Sequence, residues 1–89
     1  MTARSVTVPN QRGMHARAAA RFVHLASAYT ARVSVAHGFR TMDGKSIMGI
    51  LLLAAPRGAV ITIAAEGPDE GPAVDALCRL VESGFGEEP

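Results

Sequence analysis

Along this chain the hydrophobic pattern switches repeatedly between a period of two and a period near 3.6 residues, and glycine or proline stands at most of the switches. No repeat, low-complexity tract or long linker divides the sequence, so it reads as one continuous domain, 1–89, with 84–89 expected as a flexible tail. At 89 residues such a domain buries only about 60–65% of the surface its unfolded chain would expose. That leaves room for one modest core. A shallow surface site therefore fits better than an enclosed substrate cavity, and docking or carrying better than turnover.

The segments can be read in order. Ser5-Val6-Thr7-Val8 alternates as a strand and stops at Pro9-Asn10. From Ala16 an alanine-rich stretch places Ala19, Phe22, Val23 and Ala26 on one helical face. Arg32–Ala36 and Phe39–Met42 alternate again, separated by His37-Gly38 as a tight hairpin turn. Ser46 is a good N-cap for a short helix over Ile47–Leu53. Val60–Ala65 is the most β-prone run and reads as a central strand. After Gly67-Pro68, Asp69 is placed to cap a last helix. It tolerates Pro72 in its first turn and shows Ala73, Leu77, Leu80, Val81 and Gly84 on one face. The order β-α-β-β-α-β-α predicts an α+β open-faced sandwich, a four-stranded antiparallel sheet with three helices on one face. Thr7, Ser34 and Thr62 would then line the open face, and Val6, Val33 and Ile61 the buried one.

Composition narrows the functions. The lone Cys78 rules out an internal disulfide framework and any cysteine-based zinc cluster, and it reads as a small core residue. Ile47–Ala55, the longest apolar run, is interrupted by Gly49 and is far below the roughly 20 residues of a membrane span. No apolar leader opens the sequence, so a cytoplasmic protein without membrane insertion is expected. Charge is divided along the chain. Residues 1–45 hold seven basic side chains against Asp43 alone (net +6), and residues 46–89 hold two against seven acidic ones (net −5). A basic half favours acidic or phosphorylated partners. Nucleic acid is not favoured, because there is no Lys/Arg run, no Trp and only four aromatic residues to stack bases.

The chemistry concentrates before the first helix. His15 stands at its start, after Gly13, with Arg17 two residues on. Free N–H groups and the helix dipole make such a position favourable for an anion. A neutral imidazole is a nucleophile near neutral pH, and an arginine beside it adds charge-assisted hydrogen bonds to phosphoryl oxygens. The triplet His-x-Arg is weak by itself. The longer string Gly13-Met14-His15-Ala16-Arg17-Ala18-Ala19 resembles the phosphorylation-site signature of the HPr family, usually Gly-Leu/Ile-His-Ala-Arg-Pro-Ala. A second string, Gly44-Lys45-Ser46-Ile47-Met48-Gly49, resembles that family's regulatory-serine motif, and Ala65–Glu70 with the helix after it resembles its C-terminal segment.

The resemblance implies a phosphocarrier of the phosphoenolpyruvate-dependent phosphotransferase system, a relay intermediate rather than a free-standing enzyme. His15 would accept the phosphoryl group on Nδ1 from enzyme I and pass it to EIIA-type domains. Arg17 and the backbone amides of Ala16, Arg17 and Ala18 would hold the phosphoryl oxygens. Ser46 would be a target for a kinase and phosphorylase. Met14, Arg21, Ile47 and Met48 would form the docking surface, and the carrier would be a monomer. Ala18 departs from the usual Pro and keeps its N–H, and the first turn is expected to remain helical. No metal or cofactor is expected, since His24 and His37 read as solvated residues. Gly44-Lys45-Ser46 is not a P-loop, because that motif requires glycine where Phe39 stands. Two other functions fit the same residues: a regulatory phosphorelay without sugar transport, and a non-catalytic module that binds an anion or a protein.

Overall fold

The computed structural model describes residues 1–87. Four strands, β1 (Thr2–Thr7), β2 (Arg32–His37), β3 (Arg40–Asp43) and β4 (Val60–Glu66), alternate with three helices, α1 (Ala16–Ala26), α2 (Ile47–Leu53) and α3 (Glu70–Glu82). The strands form one sheet in the order β1-β4-β2-β3, antiparallel at every junction, with Val6 opposite Ile61 and Val35 opposite Ile63. β4 is central, and β1 and β3 are the edges. This is the architecture the sequence pattern predicts, with the helices on one face.

Period-two alternation decides which face is covered. Val6, Val33, Val35, Ile61, Ile63 and Ala65 point inward and are buried, in one core with Phe22 of α1, Ile50 of α2 and Leu77 of α3. Between them Ser5, Ser34 and Thr62 face outward, and Ser5 and Thr62 pair hydroxyl to hydroxyl across the strands at 3.0 Å. Cys78 lies wholly inside, where burial pushes its thiol above the ordinary pKa, which makes it an inert packing residue.

Three local expectations need correction. The hairpin turn is Gly38-Phe39 rather than His37-Gly38: His37 pairs with Arg40, and Gly38 takes the positive φ of 62° that the turn requires. Asp69 precedes α3 but does not cap it with its side chain. Its carboxylate instead accepts the N–H groups of Thr30 and Ala31, both at 2.8 Å, and fixes the loop entering β2. Those amides, Thr30 foremost, hold its pKa below the usual carboxylate value. Finally, the segment from residue 84 is not a free tail through Glu87. Gly84–Gly86 forms a 3₁₀ turn, and Phe85 is buried in the main core. Residues 88–89 of the expected tail lie outside the described residues.

The charge division is partly undone by folding. Arg4 of β1 pairs with Asp75 of α3 at 3.5 Å, and the N-terminal ammonium pairs with Glu70 at 3.1 Å, so basic first half meets acidic second half across the sheet edge.

Candidate functional site

The loop Pro9–Met14 sets the height and direction of His15. Gly13 has φ +66° and passes so close to the segment after α2 that a Cβ would lie 2.5 Å from the Ala55 carbonyl oxygen and 2.9 Å from Pro56 Cα. No other residue fits both constraints. The Met14 amide then donates to Ala55 O at 3.0 Å, which ties the loop to the end of α2.

His15 is the N-cap of α1, in extended conformation, and its carbonyl accepts the first helical hydrogen bond, from Ala19 at 2.8 Å. The imidazole is held from both sides. Nδ1 accepts the Arg17 N–H at 3.2 Å, and Nε2 lies 2.5 Å from Oε2 of Glu87. Nδ1 therefore carries the lone pair and Nε2 the proton, the tautomer assigned by this network. The ring retains about a fifth of its exposure (21%), enough for a partner to reach one edge.

Glu87 is the residue that the sequence pattern did not single out. Its other oxygen, Oε1, accepts from Asn10 Nδ2 at 2.7 Å, and the same amide nitrogen donates to Gly13 O at 2.8 Å. Burial disfavours the Glu87 carboxylate, but hydrogen bonds from His15 and Asn10, with the nearby charge of Arg12, outweigh it and hold its pKa below the ordinary value. The sequence signal was Gly84-Phe85-Gly86, an aromatic flanked by two turn formers just before an acid; that pattern anchors a chain end rather than freeing it.

Beside the ring, sharing Arg17 and Glu87 with it, opens a cleft of about 800 Å³ into which Arg12, Arg21, Arg57 and Glu82 also project. Three of its four arginines come from the basic half and one from the acidic half, so folding gathers the cations that sequence had only partly grouped. Arg17 is exposed at this lip. Arg21, expected as a docking cation, lines the cleft while its guanidinium donates to the Phe85 carbonyl, which binds α1 to the chain end.

The remaining candidates separate. Of the three expected phosphate-binding amides, Ala16 and Arg17 belong to exposed residues, whereas Ala18 is wholly buried in the first turn, which is helical there without Pro. Met14, expected on the docking surface, is a core residue at 4% exposure, because the Gly13 turn drives its side chain inward. Ile47 and Met48 are exposed, joined by Leu52, and form an apolar strip on α2 whose opposite side, Ile50 and Leu53, is buried. Ser46 caps α2, its Oγ accepting the Gly49 amide at 3.0 Å. It stands at the far end of α2 from Ala55, so about 10 Å of helix separates it from the His15 loop. His24 is exposed, and His37 Nδ1 faces Leu53 O at 3.2 Å. Among the described residues no cluster suited to a metal ion occurs, and no helix is long and apolar enough to cross a membrane.

Comparison with known proteins identifies the family and the fold. Residues 2–83 match the family model described as the PTS HPr component phosphorylation site. The phosphocarrier protein HPr of Cupriavidus necator is 42% identical over 98% of both chains, and the phosphocarrier protein NPr of Shewanella violacea 38% identical over 94% of this chain and 92% of that one. Among solved structures, HPr-C-His from Thermoanaerobacter tengcongensis superposes with a TM-score of 0.95 over the whole of both chains at 42% identity. Glu87 lies beyond the residues that the family model matches.

Proposed function

The chain belongs to the HPr family of phosphocarriers of the phosphotransferase system, and from that premise we propose that it carries its phosphoryl group on Nδ1 of His15, taking it from phospho-enzyme I and delivering it to EIIA-type domains. The observation that carries this reading is the His15 ring itself, held at the start of α1 with the lone pair on Nδ1 and the proton on Nε2.

In the transfer, the Nδ1 lone pair attacks phosphorus as the donor's bond to phosphorus breaks. An N–P bond forms, the donor recovers its electron pair, and the proton on Nε2 stays in place. The Arg17 amide, which Nδ1 releases, turns to a phosphoryl oxygen, and the exposed Arg17 guanidinium adds a second, charged donor. Phosphoryl transfer asks for positioning and charge stabilisation more than for covalent chemistry, so a partner can complete the site around an exposed ring edge. The strip Ile47-Met48-Leu52 supplies apolar contact for that partner, and the arginine-lined cleft supplies charge. Ser46 is the regulatory position: a phosphate on it sits at the start of its own helix, so the fold is retained and docking on α2 is what changes. The carrier acts as a cytoplasmic monomer.

Incubation with phosphoenolpyruvate and enzyme I should add one phosphoryl group to the intact mass, labile to acid and absent in His15→Ala. An unchanged mass, or incorporation that survives His15→Ala, overturns the assignment. Offering the phosphorylated protein to a sugar-transport EIIA and to a regulatory EIIA identifies its recipient by which one discharges it.

A further inference from the structure

We propose that Glu87 is a positioning residue for phosphoryl transfer: delivered by a C-terminal strap locked at Phe85, its carboxylate accepts the Nε2–H hydrogen bond of His15 and so keeps the lone pair on Nδ1. This rests on the phosphocarrier reading above.

The strap is built to hold one position. Phe85 adopts left-handed backbone angles, φ 59° and ψ 27°, which a bulky residue rarely takes and which are strained. The conformation persists because the surroundings over-determine it. The ring is fully buried in the core, the glycines on either side both have positive φ, and Arg21 of α1 donates to the Phe85 carbonyl. Two residues beyond this lock, Glu87 is gripped again by Asn10, whose two amide hydrogens go to Gly13 O and Glu87 Oε1. Both acceptors fix which way the Asn10 amide points, and its Oδ1 is left buried without a partner among the described residues. Asn10 thereby ties the loop that places His15 to the carboxylate that orients its ring.

The consequence follows from charge balance. When Nδ1 attacks phosphorus, the imidazole becomes cationic with its proton still on Nε2, and Glu87 faces that proton at 2.5 Å. A carboxylate there selects the reactive tautomer before transfer and opposes the developing charge during it, as carboxylates do behind histidines in other sites. When the phosphoryl group leaves, the electron pair returns to Nδ1 and the ring is neutral again without any proton having moved.

The test separates this inference from the carrier assignment by reading the ring before any phosphoryl donor is present. In unphosphorylated protein with a neutral ring, 15N shifts of His15 should be far apart in wild type, Nδ1 unprotonated and Nε2 protonated. In Glu87→Ala they should move toward each other. Phosphoryl acceptance from enzyme I should fall about three- to tenfold in Glu87→Ala, with partial recovery in Glu87→Asp, whose carboxylate is one methylene short. Thermal melting of each variant reports folding, because a merely structural strap would lower Tm and leave the ring shifts alone. Identical ring shifts in wild type and Glu87→Ala overturn the tautomer role, and changed shifts with unchanged transfer overturn the role in transfer. Loss of phosphorylation in the wild type itself would instead sink the carrier assignment.

Discussion

The helices α1 and α2 both begin at a side chain that accepts an amide from its own first turn, yet the two caps are built differently. Ser46 accepts Gly49 N–H from three residues away, and that local bond accounts for its placement. His15 accepts Arg17 N–H in the same manner, but its ring is also gripped by Glu87, 72 residues later, through a strap held by Phe85 and Asn10. A cap serves local helix formation alone; a cap held from a second direction also has a defined tautomer and a fixed approach. The difference teaches that the start of α2 is set within its own first turn, whereas the start of α1 is set by a distant segment as well, the arrangement that the proposed carrier role of His15 calls for.

The largest effect expected from breaking this comparison is the loss of all acid-labile phosphorylation in His15→Ala, against near-normal acceptance in Ser46→Ala, both read from intact mass after incubation with enzyme I and phosphoenolpyruvate. Next comes the loop that raises His15. Gly13→Ala meets backbone at 2.5 Å and needs a left-handed φ, so it should cost roughly 2–4 kcal/mol in urea unfolding and slow acceptance as well. Gly49→Ala in α2 has side-chain contacts alone to accommodate, Met42 Cβ and Ser46 Oγ both at 3.3 Å, and needs no left-handed φ, so it should stay within about 1 kcal/mol of wild type. An equal cost at the two glycines would erase the contrast between a constrained loop and an ordinary helix position.

Ser46→Ala should lose about 1 kcal/mol through the missing cap, while Ser46→Asp keeps a side-chain acceptor and gains from the dipole, so its Tm should match wild type. A Tm for Ser46→Asp well below that of Ser46→Ala would contradict the claim that charge at this position leaves the fold intact. The smallest effect concerns the start of α3. The Thr2 hydroxyl, the N-terminal ammonium and the Gly67 amide lower the Glu70 pKa to about 2 from an ordinary 4.5. A depressed carboxylate pKa means that the contribution is complete above about pH 4.5 and is lost as the pH falls toward 2. Glu70→Gln should therefore flatten the decline of Tm over that acidic window and leave the neutral-pH phosphorylation of His15 unchanged.

Where the controlling interaction is local, the sequence was sufficient. Alternation placed β1, β2 and β4, helical spacing placed α1 and α3, and Ser46 announced its own helix, because each depends on neighbours within a turn or on the face it shows to a core. His15 and Arg17 were legible for the same reason: a cap position and a short family string need no distant partner. Asp69 stands at the cap position of α3 as the sequence indicates, but its side chain is drawn away to satisfy the Thr30 and Ala31 amides of another loop. Met14 was misread because the Gly13 turn, not the apolar character of the side chain, determined its direction.

The sequence by itself determined the β-α-β-β-α-β-α order, the one-sided burial of the sheet and the histidine at the start of α1, all products of local period and local capping. Only the tertiary structure decided that the segment from Phe85 to Glu87 returns to that histidine. A contact between residues 72 positions apart leaves no periodic trace; it exists because Phe85 finds space in the core and Asn10 bridges the strap to the loop. The carboxylate that fixes which nitrogen of His15 holds the lone pair is thus a property of the packed molecule.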